Sequence, residues 1–386
     1  MSVDPIVIVA AKRTPMGGFQ GALKDRTAPQ LGTAAIAAAM AQAGVPAAEI
    51  DEVVFGCVLP AGLGQAPARQ AALGAGLPDS VPATTVNKMC GSGMKAAMMA
   101  HDAIAAGSAA IAVAGGMESM TNAPYLLEKA RAGMRLGHGR VMDHMFLDGL
   151  EDAYDKGRLM GTFAEDTAQH FQFTRDMQDE FALASLDRAR QAIGGGRFRS
   201  EIVAVGDVVE DEQPGKAKPE KIPTLKPAFR PDGTVTAANA SSISDGAAAL
   251  VMMRRSEADK RGIAPLAVIR GHASHAQAPA WFSTAPIGAI TKLFDKVSWS
   301  AKDVDLFEIN EAFAVVALAA MRELGLPHDK VNVNGGACAL GHPIGASGAR
   351  IIVTLLAEMA ARDVKRGVAT LCIGGGEATA MAVERV

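Results

Sequence analysis

Short apolar runs alternate with helical patterns near both ends of the chain. Apolar segments predict strands at residues 6–10, 52–56 and 109–114, and helical spacing predicts helices at residues 28–43 and 94–106. The last third repeats this order, with strands expected at residues 304–309 and 369–373 and helices expected at residues 287–296, 313–324 and 346–361. Strands that alternate with helices are typical of an α/β fold.

The two ends also resemble each other residue by residue. Ile50-Asp51 precedes one predicted strand and Val304-Asp305 precedes another. Further matches at nearly the same interval pair Gly93 with Gly348, each at a turn that leads into a helix, and the turn at Gly115-Gly116 with the turn around Gly375. A nearly constant interval indicates a duplicated unit. Chance similarity between two α/β halves is the alternative.

A segment of different composition, residues 120–242, separates these halves. It contains a predicted helix at residues 175–192 and a stretch rich in Pro and Lys. Positive charges concentrate here, at Arg131, Arg135, Arg140, Lys216, Lys218, Lys221, Lys226 and Arg230. They form either a solvated surface or a phosphate-binding surface. We expect one half at residues 1–119 plus 243–265, an inserted domain at residues 120–242, and the second half at residues 266–386.

Composition narrows the class of protein. With 386 residues, of which 49% are hydrophobic and 20% charged, the chain can bury a large core. An aromatic content of 4% and a net charge of -3 argue against nucleic-acid binding. No apolar run is long enough to span a membrane, and no signal peptide is evident. Four scattered cysteines predict a reducing, cytoplasmic setting rather than a disulfide scaffold.

Cys90 is a candidate nucleophile. The segment NKMCGSGMKA leads from a β-branched stretch through Gly91 and Gly93 into an Ala/Met-rich helix, so Cys90 is expected at a helix N-terminus. Free amides and the helix dipole there lower a thiol pKa. A small buried apolar residue is the alternative interpretation. Gly91 to Ala96 also fits the G-x-G-x-x-A dinucleotide fingerprint, but the acidic residue that this fingerprint requires is missing, which argues against nicotinamide binding.

Three candidate partners of Cys90 lie in the second half. His342 stands before a proline in a glycine-rich segment and is either a base or a plain turn residue. Cys372 precedes three consecutive glycines, at an expected exposed turn. Asn310 ends a predicted strand, where it either caps the next helix or orients a water.

Other residues with metal-binding or nucleophilic chemistry receive no functional role. His272 and His275 form an H-x-x-H pair without a further Cys/His cluster, so no metal site is predicted. Cys57 and Cys338 are interpreted as structural.

Four motifs together resemble the thiolase family over essentially the whole chain. They are NKMCGSGMKA, NEAFAV, NVNGGACALGHPIGASGAR and CIGGG. The resemblance implies two similar halves in a five-layered α-β-α-β-α core, with residues 120–242 as a loop domain that binds coenzyme A. It also implies reversible Claisen condensation of two acetyl-CoA into acetoacetyl-CoA plus CoA.

The resemblance carries roles onto individual residues. It makes Cys90 the acyl-accepting nucleophile, His342 its activator and Cys372 the acid/base. It places Asn310 and a water beside His342 in one oxyanion hole, and the amides of Cys90 and Gly374 in a second. Ser241 and Phe229 match positions that contact the pantetheine and adenine parts of CoA.

Departures from the family pattern concern the substrate. Leu159 replaces a usual histidine before Met160, and Phe282 replaces a usual methionine. The size of Phe282 indicates a short acyl chain, while a degradative thiolase for longer chains is the alternative. A ketosynthase is disfavoured because such enzymes pair their cysteine with two histidines, and an inactive CoA-thioester- or lipid-binding protein is disfavoured by retention of all four candidate residues.

The resemblance also bears on partners and setting. It implies acyl-CoA and CoA as the ligands, no other cofactor, a role in fatty acid metabolism, and a homo-oligomer that is a tetramer or a dimer.

Overall fold

The computed structural model describes residues 4–386. These residues form twelve strands: β1 (Ile6–Arg13), β2 (Gly17–Gly18), β3 (Glu52–Gly56), β4 (Ala83–Val86), β5 (Ile111–Ser119), β6 (Tyr125–Leu126), β7 (Met142–Asp143), β8 (Ser244–Arg254), β9 (Ala267–Ala276), β10 (Leu306–Ile309), β11 (Arg366–Ile373) and β12 (Glu377–Glu384). The same residues form eleven α-helices: α1 (Ala28–Ala43), α2 (Pro67–Gly74), α3 (Ser92–Ala106), α4 (Met160–Phe171), α5 (Arg175–Gly194), α6 (Glu212–Lys216), α7 (Arg255–Arg261), α8 (Ala285–Val297), α9 (Ala314–Leu324), α10 (Ala337–Leu340) and α11 (Ser347–Ala361).

Strand order shows the duplication directly. One ten-stranded sheet runs β10-β11-β12-β9-β1-β8-β5-β3-β4, with β2 beside β8. On one side of the β9–β1 junction the order is β1-β8-β5-β3, and on the other it is β9-β12-β11-β10. Chain order is also preserved, because β1, β3, β5 and β8 correspond to β9, β10, β11 and β12. The junction itself is short, since only Val7 and Ile8 pair with β9.

Asp51 and Asp305 make the same contact in the two halves. The Asp51 carboxylate accepts hydrogen bonds from the amides of Ala110 and Ile111 at 2.8 and 2.9 Å. The Asp305 carboxylate accepts from Lys365 and Arg366 at 3.0 and 2.8 Å. Each aspartate therefore fixes the start of the central strand of its half, which explains the match between these positions in the sequence.

Five layers of helices and strands pack on one another through three apolar clusters. The first cluster lies between the outer helices α1 and α2 and one face of the first half-sheet. The middle cluster encloses α3 and α11 between the two half-sheets, and the third lies between the second half-sheet and α8 with α9. Alternate residues of β8 enter different clusters, because successive side chains of a strand point to opposite faces. The expected five-layered α-β-α-β-α core is confirmed.

The central helices α3 and α11 cross closely at two glycines. A Cβ on Gly93 would lie 2.8 Å from the amide nitrogen of Ala349, and a Cβ on Gly348 would lie 2.4 Å from the amide nitrogen of Met94. Both positions face backbone atoms, so any larger residue would force the two helices apart. This reciprocal contact gives a physical reason for the matched glycines and brings both helix N-termini to one place.

Residues 120–242 add no strand to the large sheet and pack mainly on the second half. Helices α4 and α5 lie against α9, and α5 also lies against α10. A buried ion cluster ties the segment to β1, because Arg13 contacts Glu201 at 2.5 Å and Asp211 at 2.7 Å. The domain bounds given above stay a prediction.

The structure corrects one expected turn. Strand β5 continues through Gly115-Gly116 to Ser119, so these glycines do not form a turn as Gly374–Gly376 do. A Cβ on Gly116 would lie 2.0 Å from the Gly345 carbonyl oxygen, which shows that close packing requires this glycine. Within residues 4–386, no helix is long and apolar enough to cross a membrane.

Candidate active site

Cys90 lies in a tight loop directly before α3. The loop is held by Ser92, whose Oγ accepts from the Lys88 amide at 2.8 Å and donates to the Met89 carbonyl at 2.6 Å. Met89 takes a left-handed conformation with φ of 47°, which turns the chain toward the helix. A Cβ on Gly91 would overlap Ile373, so the loop also packs against the end of β11. The expected position of Cys90 beside a helix N-terminus is confirmed.

The expected low pKa of Cys90 is wrong. Burial raises the pKa of the thiol to about 11, and the nearby Glu118 adds to the rise. Hydrogen bonds from the amides of Gly374 and Cys90 act in the opposite direction but are the weaker effect. These two amides thus converge on the Cys90 sulfur, although they come from opposite halves of the molecule.

His342 follows α10 and is fixed on both its backbone and its ring. Its amide donates to the Ser242 carbonyl at 3.1 Å. Its Nδ1 lies 2.5 Å from Ser347 Oγ, and that hydroxyl lies 2.9 Å from the Pro343 carbonyl oxygen. Since the hydroxyl proton goes to the carbonyl, Ser347 accepts from Nδ1–H, which leaves Nε2 free to accept a proton. Burial, assisted by Arg350, lowers the pKa of His342 to about 3, so the resting imidazole is neutral.

Asn310 stands beside this imidazole at the end of β10. Its Nδ2 is 3.4 Å from each ring nitrogen of His342, and its Oδ1 lies 3.4 Å from the Arg350 guanidinium. Helix α9 begins later, at Ala314, without a side-chain cap. The capping interpretation of Asn310 is therefore wrong, and its side-chain amide instead contacts the His342 ring.

Cys372 lies deeper than the sequence indicated. It is fully buried on β11 opposite Ala378, whereas an exposed turn was expected. The reason is that β11 is an internal strand with both faces covered, and the turn begins only at Gly374. Burial raises the pKa of Cys372 well above its ordinary value, and the charge of a nearby Cys90 thiolate would raise it further.

A cavity of about 270 Å³ collects most of the predicted residues. Its wall includes Cys90, His342 and Gly374, together with the five predicted substrate-binding residues Leu159, Met160, Phe229, Ser241 and Phe282. Asn310 and Cys372 are buried and do not line it. Most of the remaining wall is apolar, so the cavity suits a thioester and a short alkyl group better than a free acid.

Comparisons with known protein families match nearly the whole chain. The family model "Thiolase, N-terminal domain" matches residues 6–256, and the model "Thiolase, C-terminal domain" matches residues 263–385. The chain belongs to the thiolase family. The resemblance stated from the sequence is confirmed.

This thiolase is similar to curated relatives over their full length. It is 50% identical to "Acetyl-CoA acetyltransferase" of Pseudomonas aeruginosa, with 99% of this chain and 100% of the relative covered. It is 51% identical to "Acetyl-CoA acetyltransferase 2" of Arabidopsis thaliana, with 99% and 98% covered. The crystal structure of Acat5 thiolase from Ascaris suum in complex with coenzyme A superposes with a TM-score of 0.95 at 40% identity, covering 99% of this thiolase and 100% of that chain.

Sequence reasoning missed Glu118, which connects the loops of both halves under the cavity. Its carboxylate accepts from the amides of Val58 at 2.9 Å, Leu59 at 3.1 Å and Gly345 at 2.9 Å, and from the Cys57 thiol at 3.6 Å. Burial raises the pKa of Glu118 to about 7 against the opposing effect of these donors. An acidic residue directly after the apolar run AVAGGM was the available signal in the sequence.

Further residues of the thiolase site also escaped sequence reasoning. Four more residues line the cavity: Phe146, Leu150, Ile344 and Phe313. Phe146 and Leu150 belong to none of the sequence motifs. Phe313 packs edge-on against Phe282 at 6.3 Å, and Phe163 does so at 6.5 Å, so the Phe282 ring is held from two sides.

Proposed function

We propose that this thiolase is an acetyl-CoA C-acetyltransferase, which condenses two acetyl-CoA into acetoacetyl-CoA and CoA and also runs the reverse thiolysis. The observation that carries the proposal is the convergence of Cys90, His342 and the Gly374 amide on one apolar cavity. A nucleophile, a neutral base and an oxyanion donor at one point are the parts that acyl transfer needs.

The first half-reaction acylates Cys90. As Cys90 Sγ attacks the thioester carbonyl, its proton passes to His342 Nε2, and the amides of Cys90 and Gly374 stabilise the tetrahedral oxyanion. The C–S bond to CoA then breaks, and Cys372 donates its proton to the departing CoA thiolate. The site now holds acetyl-Cys90, an imidazolium and the Cys372 thiolate.

The second half-reaction forms the carbon–carbon bond. Cys372 removes an α-proton from a second acetyl-CoA, which returns this thiol to its starting state. The enolate oxygen is stabilised by the imidazolium of His342 and by a water that Asn310 holds. The enolate carbon attacks acetyl-Cys90, the thioester bond breaks, and Cys90 recovers its proton from His342.

The insertion supplies much of the acyl-CoA site in this proposal. Leu159, Met160, Phe229 and Ser241 all belong to residues 120–242 and line the cavity. We therefore propose that residues 120–242 are the CoA-binding loop domain, with Ser241 on the pantetheine arm and Phe229 as the expected adenine contact. Acyl-CoA and CoA are the proposed ligands, with no other cofactor.

We propose that the functional unit is a homotetramer or a homodimer. Exposed apolar side chains on and beside the β6–β7 hairpin support this, because Tyr125 is 69% and Leu136 is 95% exposed. We propose a cytoplasmic setting, because the chemistry requires free thiols and all four cysteines are unpaired. A role in fatty acid metabolism is proposed from the acyl-CoA ligands.

Two measurements test the proposed function. Incubation with acetyl-CoA should add one acetyl mass to the wild type and to Cys338→Ala, but none to Cys90→Ala. Thiolysis of a chain-length series should be fastest for acetoacetyl-CoA, since the held ring of Phe282 limits the acyl chain. An adduct that persists on Cys90→Ala contradicts the nucleophile, and faster turnover of longer 3-ketoacyl-CoAs identifies a degradative thiolase instead.

A further inference from the structure

A second cluster of functional side chains lies on the far part of α3, away from the cavity. His101 and Asp102 belong to α3, and His272 belongs to β9. Asp102 Oδ1 is 3.0 Å from His101 Nδ1 and 2.9 Å from His272 Nε2, and the two ring nitrogens are 3.3 Å apart. Within residues 4–386, this is the group of three His, Cys, Asp or Glu side chains whose ligand atoms converge closely enough to hold one metal ion.

The three separations fit a coordination polyhedron. Zinc binds nitrogen and oxygen ligands at about 2.0–2.1 Å, so neighbouring ligand atoms are about 3.3 Å apart in a tetrahedron and about 2.9 Å apart in an octahedron. The observed separations of 2.9, 3.0 and 3.3 Å span this range. One point off the plane of the triangle therefore lies about 2 Å from all three atoms.

We propose that His101, Asp102 and His272 form a binding site for one zinc-type divalent cation. His272 is 9% exposed and forms the protein side of the site, while the Asp102 side chain is 58% exposed, so water completes the coordination from the open side. Two imidazoles and one carboxylate favour Zn²⁺, Ni²⁺ or Co²⁺ over Mg²⁺ or Ca²⁺. The H-x-x-H pair from the sequence is not the motif, since His275 instead contacts Gln277.

Nearby charge sets a limit on this site. Lys296 Nζ donates to the His272 carbonyl oxygen at 3.2 Å and brings a positive charge close to the cation. The Asp102 carboxylate offsets it. The site is therefore weaker than one built from thiolates, and its occupancy follows the metal concentration.

The position of the site defines its effect. Helix α3 belongs to the first half and begins two residues after Cys90, whereas β9 belongs to the second half and pairs His272 with Met381 on β12. A cation held by both elements joins the two halves across the middle layer. None of its ligands lines the cavity or hydrogen-bonds to Cys90, His342, Asn310 or Cys372, so the cation stabilises the fold without taking part in acyl transfer.

Zinc binding should be measured in the full chain carrying Cys90→Ser and Cys372→Ser, because a free thiol is itself a potential zinc ligand and would confuse the titration. We expect one Zn²⁺ per chain by calorimetric titration and a rise in Tm of about 2 °C or more at saturating zinc. His272→Ala should abolish both effects, and His101→Ala, which alters a partly exposed residue, should weaken binding at least tenfold. His138→Ala, at an exposed histidine of the insertion, is the matched control.

Two results would overturn the proposal. Absence of zinc binding in the parent chain would show that the three side chains form only a hydrogen-bonded cluster. Unchanged binding in both His272→Ala and His101→Ala would place the metal elsewhere. Because the measurement is made without active-site thiols, neither result bears on the proposed acyl transfer.

Discussion

At Cys90, burial and local hydrogen bonds act on the thiol in opposite directions. Burial raises its pKa to about 11, while burial of His342 lowers the imidazole pKa to about 3. Both groups are thus neutral in the free protein, and in the proposed reaction the proton moves only as the sulfur attacks a bound thioester. In this proposal the amides of Cys90 and Gly374 then stabilise the oxyanion, which is where preorganised donors are most effective.

This electrostatic picture predicts slow alkylation of Cys90 by iodoacetamide in the absence of substrate. Since the thiolate is the reactive form, the rate should rise about tenfold per pH unit from pH 7 and continue rising beyond pH 9. Appearance of the alkylated Cys90 peptide, measured by mass spectrometry, gives the rate, and Cys90→Ser provides the background from Cys57, Cys338 and Cys372. A plateau already at neutral pH would mean that a thiolate exists in the free protein.

The sequence identified residues by motif but not by environment. Cys90, His342, Asn310 and Cys372 were found because their motifs are specific. The pKa of Cys90 was predicted in the wrong direction because the α3 N-terminus is visible locally, whereas burial depends on layers contributed by distant segments. The role of Ser347 escaped because it depends on which ring nitrogen of His342 faces it.

At the scale of elements, the α3–α11 crossing determines whether the two halves of the site meet. Both helices begin next to catalytic loops, and their glycines allow contact between backbones. The helices and strands that were predicted lie close to their observed positions because their apolar periodicity is strong, whereas others, such as β8, β9 and β12, were not predicted. The extension of β5 through Gly115-Gly116 was missed because paired glycines ordinarily indicate a turn.

Gly93→Ala should therefore destabilise the protein. A Cβ would lie 2.8 Å from the Ala349 amide nitrogen, and relieving this overlap requires α3 and α11 to move apart. We expect a loss of about 1–3 kcal/mol in the free energy of unfolding, seen as a lower Tm. Gly194→Ala is the control, since its Cβ meets nothing within 4 Å, and it should be neutral or slightly stabilising. Equal Tm values for the two variants would contradict the close crossing.

Glu118 gives a pH-dependent prediction for the loops under the cavity. Its pKa is raised from 4.5 to about 7 in the folded protein. The folded state therefore binds this proton more tightly than the unfolded state, so its stabilising effect is complete below pH 4.5 and is lost as pH rises through 7. Glu118→Gln removes this titration, so the Tm of the wild type minus the Tm of the variant should decrease between pH 5 and pH 7.5. An increase in this difference over the same range would contradict the raised pKa of Glu118.

At the scale of the whole molecule, the active site lies where two similar halves join. The first half provides Cys90, the second provides His342, Asn310 and Cys372, and the insertion provides much of the cavity wall. The sequence revealed the duplication through residues with the same local task, such as Asp51 and Asp305. It did not reveal the short β1–β9 pairing that makes the two half-sheets continuous, because so few residues form it.

The division of work between two cysteines is the central claim, and Cys372→Ala incubated with acetyl-CoA in D₂O tests it most directly. We expect mass spectrometry to find an acetyl group on Cys90, formed more slowly than in the wild type because Cys372 no longer protonates the departing CoA thiolate, but neither deuterium in the acetyl-CoA methyl group nor acetoacetyl-CoA. Wild-type protein should show all three. Deuterium exchange in Cys372→Ala at the wild-type rate would contradict the account, because another base would then be removing the α-proton.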